Sequence, residues 1–86
     1  MFTRELVVNP DTGLHAEVAH RLLRLAKSTD CPMYLSCLDG RAANLRNSLE
    51  LLGLAIKPGD TVILIVRTPD SEIAESLIEQ ATAAIC

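Results

Sequence analysis

Residues 32–45 read PMYLSCLDGRAANL, and this stretch decides what kind of sheet the chain builds. PMYLSCL (32–38) predicts a strand. Asp39-Gly40 is a strong signal for a two-residue hairpin loop, and RAANL (41–45) returns as a second strand beside it. A hairpin makes neighbouring strands antiparallel, so the chain cannot be a purely parallel α/β protein. On the C-terminal side, NSLELLGL (47–54) predicts a short helix, with Asn47 as N-cap and Glu50 three residues on, as in a capping box. PGD (58–60) breaks the chain, and TVILIVR (61–67) is the clearest strand, its near-continuous apolar character placing it centrally. SEIAESLIEQATAAI (71–85) predicts a helix with Ile73, Ala74, Leu77, Ile78 and Ala81 on its apolar face, started by Thr68-Pro69 or by Asp70.

On the N-terminal side, FTRELVVN (2–9) alternates as a strand with Phe2, Leu6 and Val8 on one face, and PDTG (10–13) is a turn. The helix that follows carries Val18, Ala19, Leu22, Leu25 and Ala26 on one stripe, with Leu23 at its edge. Glu17, His20, Arg21, Arg24 and Lys27 fall on the opposite side, and Glu17 and Arg21, four apart, form an attractive pair. The order is β-α-β-β-α-β-α. Each helix has a single apolar face, so all three should cover the same side of a four-stranded, mainly antiparallel sheet. The fold class is α+β, an open-faced sandwich with its other sheet face in solvent.

The chain has 86 residues, enough for one domain over residues 1–86. Apolar residues make up 49%, so a core can form, but with no Trp, one Tyr and one Phe it must be aliphatic. A net charge of −3 and so few aromatics argue against a nucleic-acid partner. No apolar run is long enough for membrane insertion, and MFTREL is not a signal peptide, so a cytoplasmic protein is expected. Cys31, Cys37 and Cys86 are odd in number and lack C-x-x-C spacing, which predicts free thiols. His15 and His20 are five apart rather than four, so no metal site is expected.

One candidate remains for chemistry. His15 lies at the turn-to-helix junction in TGLHAEVAHRLLRLAK (12–27), where four backbone N–H groups lack partners and the helix dipole is positive. Imidazole offers a ring-nitrogen lone pair, and a phosphoryl group placed on it would meet the N–H groups of Ala16 and Glu17. Gly13 permits the turn and Leu14 can anchor it. A histidine that merely precedes a helix would look the same locally. His20, on the polar face, reads as a solvated surface residue.

GLHA (13–16) after a first strand, LRNSLELLGL (45–54) and KPGDTVILIV (57–66) together resemble the HPr family, the histidine-containing phosphocarriers of the bacterial phosphoenolpyruvate-dependent sugar phosphotransferase system. The similarity runs from Phe2 to the last helix. It implies that phosphorylated enzyme I passes a phosphoryl group to His15, at Nδ1, and that a sugar-specific phosphotransferase component receives it. The carrier would be a monomeric relay that needs no cofactor, rather than a turnover enzyme. The resemblance also implies a partner surface on the first two helices, with Arg24, Lys27 and Arg46 as basic contacts and Leu49 and Leu52 as apolar ones; Leu51 and Leu54 read as core. Two departures stand out. The family's Ala-Arg-Pro after the histidine is here Ala16-Glu17-Val18, and its regulatory serine position holds Asn47, with Ser48 one residue out of register. Two unit charges 4 Å apart interact by ~1 kcal/mol in water and ~4 kcal/mol at an effective dielectric constant near 20, and replacing a cation by an anion counts that twice. The alternative is therefore a divergent relative with weak or lost transfer, acting as a regulatory protein-binding module.

Overall fold

A computed structural model describes all of residues 1–86, in the order β1 (Phe2–Val7), α1 (Ala16–Lys27), β2 (Met33–Cys37), β3 (Ala42–Asn44), α2 (Ser48–Gly53), β4 (Thr61–Val66) and α3 (Ser71–Ile85). The four strands form one sheet in the order β1-β4-β2-β3, antiparallel at every pairing. Strand β4 is central, as its apolar run implied, because both of its edges are paired. Leu64 sits between Arg4 and Leu35, and Ile65 between Thr3 and Tyr34.

The period-two alternation sets the two faces. Leu6, Val62, Leu64, Val66, Met33, Leu35 and Ala43 are buried on the helix side. They join Val18, Ala19, Leu22 and Ala26 of α1, Leu51 of α2, and Ala74, Leu77, Ile78, Ala81 and Ile85 of α3 in one aliphatic core. The other face carries Thr3, Glu5, Tyr34, Ser36, Ile63 and Ile65, all exposed or half-buried. Arg4 shares the core-facing side of β1 but lies at its margin, where it pairs with Glu75 of α3 at 3.2 Å.

Several local expectations change. The hairpin does not use Asp39-Gly40 as a two-residue loop. The Gly40 N–H donates to the Cys37 carbonyl at 3.1 Å and the Cys37 N–H to the Arg41 carbonyl at 2.7 Å, so Leu38, Asp39 and Gly40 form a three-residue loop. Gly40 supplies the left-handed residue such loops require, at φ +94°. Ile73 is 44% exposed rather than on the apolar face of α3. It lies ~100° round the helix from Ala74, the centre of the buried stripe, which is narrower than the sequence implied. The choice at the start of α3 falls on Asp70, whose carboxylate accepts the Glu72 and Ile73 N–H groups at 2.9 and 3.2 Å. At α2, Asn47 caps as expected by accepting the Glu50 N–H at 3.1 Å. The capping box is not reciprocal: Glu50 accepts from the Asn44 N–H and the Asn47 side-chain amide instead.

Candidate functional site

The loop that delivers His15 is organised by Asn9. Its side-chain oxygen accepts the Asp11 and Thr12 N–H groups at 2.8 and 3.3 Å, and its carbonyl accepts the Gly13 N–H at 3.0 Å. Its amide nitrogens face the other way. The Asn9 backbone N–H donates to the Ile85 carbonyl at 3.0 Å and Nδ2 to the Cys86 carbonyl at 3.1 Å. One residue thus closes the turn and ties it to the end of α3. Gly13 takes φ +66° and seats the turn against Pro58 so closely that a Cβ there would lie 2.9 Å from the proline Cδ. Leu14 is buried and anchors the far side. The Asn9 role escaped the sequence reading, although Asn before Pro-Asp is a turn-initiating signature.

His15 follows as the N-cap of α1, exposed, with extended backbone (φ −106°, ψ −179°). Its Nδ1 accepts the Glu17 N–H at 3.2 Å. An accepting Nδ1 carries the lone pair, which assigns the ring proton to Nε2. The His15 carbonyl takes the Ala19 N–H at 2.9 Å, while the N–H groups of Ala16 and Val18 have no partner within the chain. Beside the imidazole lies an open hollow of about 240 Å³, bordered by Thr12, Glu17, Arg21 and the last residues of α3. Glu17 and Arg21 face this hollow together but form no ion pair, contrary to the expected i, i+4 contact. Cys86 also borders it, and all three cysteines are free. No cluster of three or more His, Cys, Asp or Glu side chains is arranged to hold a metal ion.

The other sequence-predicted residues lie farther along the same surface. Arg24 and Lys27 occupy the last turn of α1, exposed and unpaired, ~12–17 Å along the helix axis from its start. Helix α2 packs beside α1 and presents Leu49 (80% exposed) and Leu52 (40%), while Leu51 and Leu54 are buried. Arg46 serves the fold directly. Its guanidinium donates to the Ala26 carbonyl at 3.3 Å and to the Thr29 carbonyl, covering the end of α1. Ser48 is half-buried in the first turn of α2.

Comparison with known proteins gives this geometry its context. Residues 2–84 match the family model described as "PTS HPr component phosphorylation site". The chain is also 32% identical over 80 residues to the phosphocarrier protein HPr of Streptomyces coelicolor, covering 93% of this chain and 83% of the relative. The chain belongs to the HPr family. Its fold is that of solved HPr structures. The crystal structure of HPr from Bacillus anthracis superposes with a TM-score of 0.83 over 99% of this chain and 96% of that one, at 21% identity. HPr-C-His from Thermoanaerobacter tengcongensis gives 0.82 at 21% identity, covering 99% and 91%. Within the HPr frame, Val18 keeps the apolar contact at the helix start and is buried. Glu17 leaves an anion where the family motif has a cation, and the capping Asn47 keeps α2 in place without a hydroxyl to modify.

Proposed function

We propose that this protein accepts a phosphoryl group on His15 from phosphorylated enzyme I and passes it to a sugar-specific phosphotransferase component. The observation that carries the reading is the His15 Nδ1 lone pair, held at an exposed helix N-terminus beside backbone N–H groups without other partners. The Nδ1 lone pair forms the new P–N bond as the donor histidine's P–N bond breaks, and the departing ring takes back that electron pair. Nε2 keeps its proton through the step. The Glu17 N–H, which Nδ1 no longer needs as a partner once it bears phosphorus, turns to the phosphoryl oxygens. The N–H groups of Ala16 and Val18 are available to the same oxygens, so the anion is met by fixed dipoles at the positive end of α1.

The α1–α2 surface supports the partner assignment. Leu49 and Leu52 offer an apolar contact on α2, and Arg24 and Lys27, in the last turn of the neighbouring α1, add positive charge suited to acidic partner surfaces. Arg46 contributes mainly by holding the end of α1 against α2. A carrier working between such partners acts in the cytoplasm, and no helix of the chain is long and apolar enough to cross a membrane. The deciding experiment is incubation with phosphoenolpyruvate and the enzyme I encoded in the same genome. The expected product is an acid-labile, base-stable phosphate on His15, absent from His15→Ala. Wild-type protein that stays unlabelled with its cognate enzyme I overturns the proposal and leaves the chain as a binding module.

A further inference from the structure

We propose that Arg21 is the cation that meets the phosphoryl group on His15. The inference rests on the phosphocarrier reading above and names a residue that the local motif around the histidine does not contain. Arg21 is the only Lys or Arg bordering the hollow beside His15. Its guanidinium makes no hydrogen bond or ion pair within the chain. Three other arginines are committed: Arg4 to Glu75, Arg41 to Asp39 and the Leu54 carbonyl, and Arg46 to the end of α1. Side chains on a helix lean toward its N-terminus, and Arg21 stands ~6 Å of helix rise beyond Glu17, so the His15 end lies within reach of its guanidinium.

Charge makes the assignment specific. Glu17 is the only carboxylate side chain bordering the hollow, and it sets a full negative charge against the partial positive charge of the helix end when a phosphoryl dianion arrives, unless a cation turns to it. Arg21 also borders a neighbouring hollow of about 450 Å³ between α1 and α3, with Arg24, Ser28 and Gln80. Rotation of one side chain therefore carries its charge from that groove to the phosphoryl site. The planar guanidinium suits bidentate contact with phosphate oxygens, and the free N–H groups of Ala16 and Val18 cover the opposite side.

The test uses potassium phosphoramidate, a small donor that needs no docking surface. His15 Nδ1 forms the new P–N bond, and ammonia leaves with the electron pair of the old one. Arg21→Ala is expected to label about tenfold more slowly than wild type, and Arg21→Lys to recover to within about threefold. The loss should persist in a Glu17→Gln background. Equal rates for Arg21→Ala and wild type overturn the proposal. So does a loss that vanishes in Glu17→Gln, since Arg21 would then act only by neutralising Glu17. A wild-type protein unlabelled by its cognate enzyme I sinks the phosphocarrier reading instead, and phosphoramidate labelling or, where that fails too, binding of inorganic phosphate then decides about Arg21. An Arg21 Nε–H resonance that shifts along one isotherm with the His15 ring supports the site, and an unmoved resonance overturns it.

Discussion

Gly13→Ala is expected to destabilise the protein by about 2–4 kcal/mol, and the structure separates the two causes. The first is backbone strain: φ is +66°, and a non-glycine residue in the left-handed region costs ~1–2 kcal/mol, partly offset by ~0.4–1 kcal/mol from the stiffer unfolded chain. The second is contact. The new Cβ would meet Pro58 Cδ at 2.9 Å, Cγ at 3.1 Å and its nitrogen at 3.1 Å, all well inside van der Waals separation. Forcing apart a packed contact of this kind costs ~1–3 kcal/mol. Gly40→Ala carries backbone strain without the clash: its φ of +94° lies outside the left-handed well that holds Gly13's +66°, so its strain is at least as large, and a Cβ there meets nothing within 4 Å. With a stability of ~4–13 kcal/mol for a chain of this length and a urea m-value of ~1.5 kcal/mol/M, Gly13→Ala should lower the unfolding midpoint by about 1.3–2.7 M. Gly40→Ala should lower it by less than about 1 M. Equal shifts would refute the claim that Pro58 holds the His15 loop in place, as would a Gly13→Ala protein of wild-type stability.

Other substitutions probe charge and caps. Glu17→Arg replaces an anion by a cation beside the phosphoryl site, so transfer from a generic enzyme I should quicken by roughly tenfold to a hundredfold at low salt and by less at high salt; slower transfer in a stopped-flow assay would mean that Glu17 matches a special partner. Asp70→Ala removes the oxygen that accepts two N–H groups at the start of α3, and chemical denaturation should show a loss of about 1 kcal/mol, within the 0.5–2 kcal/mol range for N-caps. Ala55 holds φ +52° just after α2, so Ala55→Gly should leave stability unchanged or raise it by up to about 1 kcal/mol, read from the same denaturation curves. The Arg41 backbone N–H, and then its guanidinium, hold the Asp39 carboxyl below the ordinary aspartate value. A lowered folded-state pKa means that this carboxylate favours the folded hairpin at neutral pH and stops doing so as pH falls through the lowered value. Titration by NMR should find its midpoint below that of an unfolded aspartate, and Arg41→Ala should move it up.

Which parts of this structure were legible in the sequence follows from the distance over which each interaction acts. Strand β4 was readable because Val62, Leu64 and Val66 face the core while Ile63 and Ile65 cover the outer face, so its apolar run reports a central place directly. Helix α1 was readable because Val18, Ala19, Leu22 and Ala26 recur at helical spacing, which also located His15 at its end. Asn9 was not, because two of its bonds reach Ile85 and Cys86 at the opposite end of the chain, and no local pattern encodes them. The structural bonds of Arg46 were hidden for the same reason: its acceptors belong to Ala26 and Thr29, across the α1–α2 junction.

The Glu17–Arg21 contact failed for a different reason. Exposed i, i+4 pairs contribute only ~0.3–0.5 kcal/mol, too little to hold two long side chains together against their rotamer freedom. That weakness matters for function. A tight pair would commit Arg21 to Glu17 and leave His15 without a cation, whereas a loose one leaves the guanidinium free to answer whichever anion is stronger. A carboxylate offers one negative charge and a phosphoryl group nearly two, so the arrival of phosphate tips the balance. The motif immediately after the histidine suggests a disabled site because it contains the anion alone. On the role proposed for Arg21, the compensating charge stands one helical turn later, and both side chains border the single hollow that α1 forms with the end of α3.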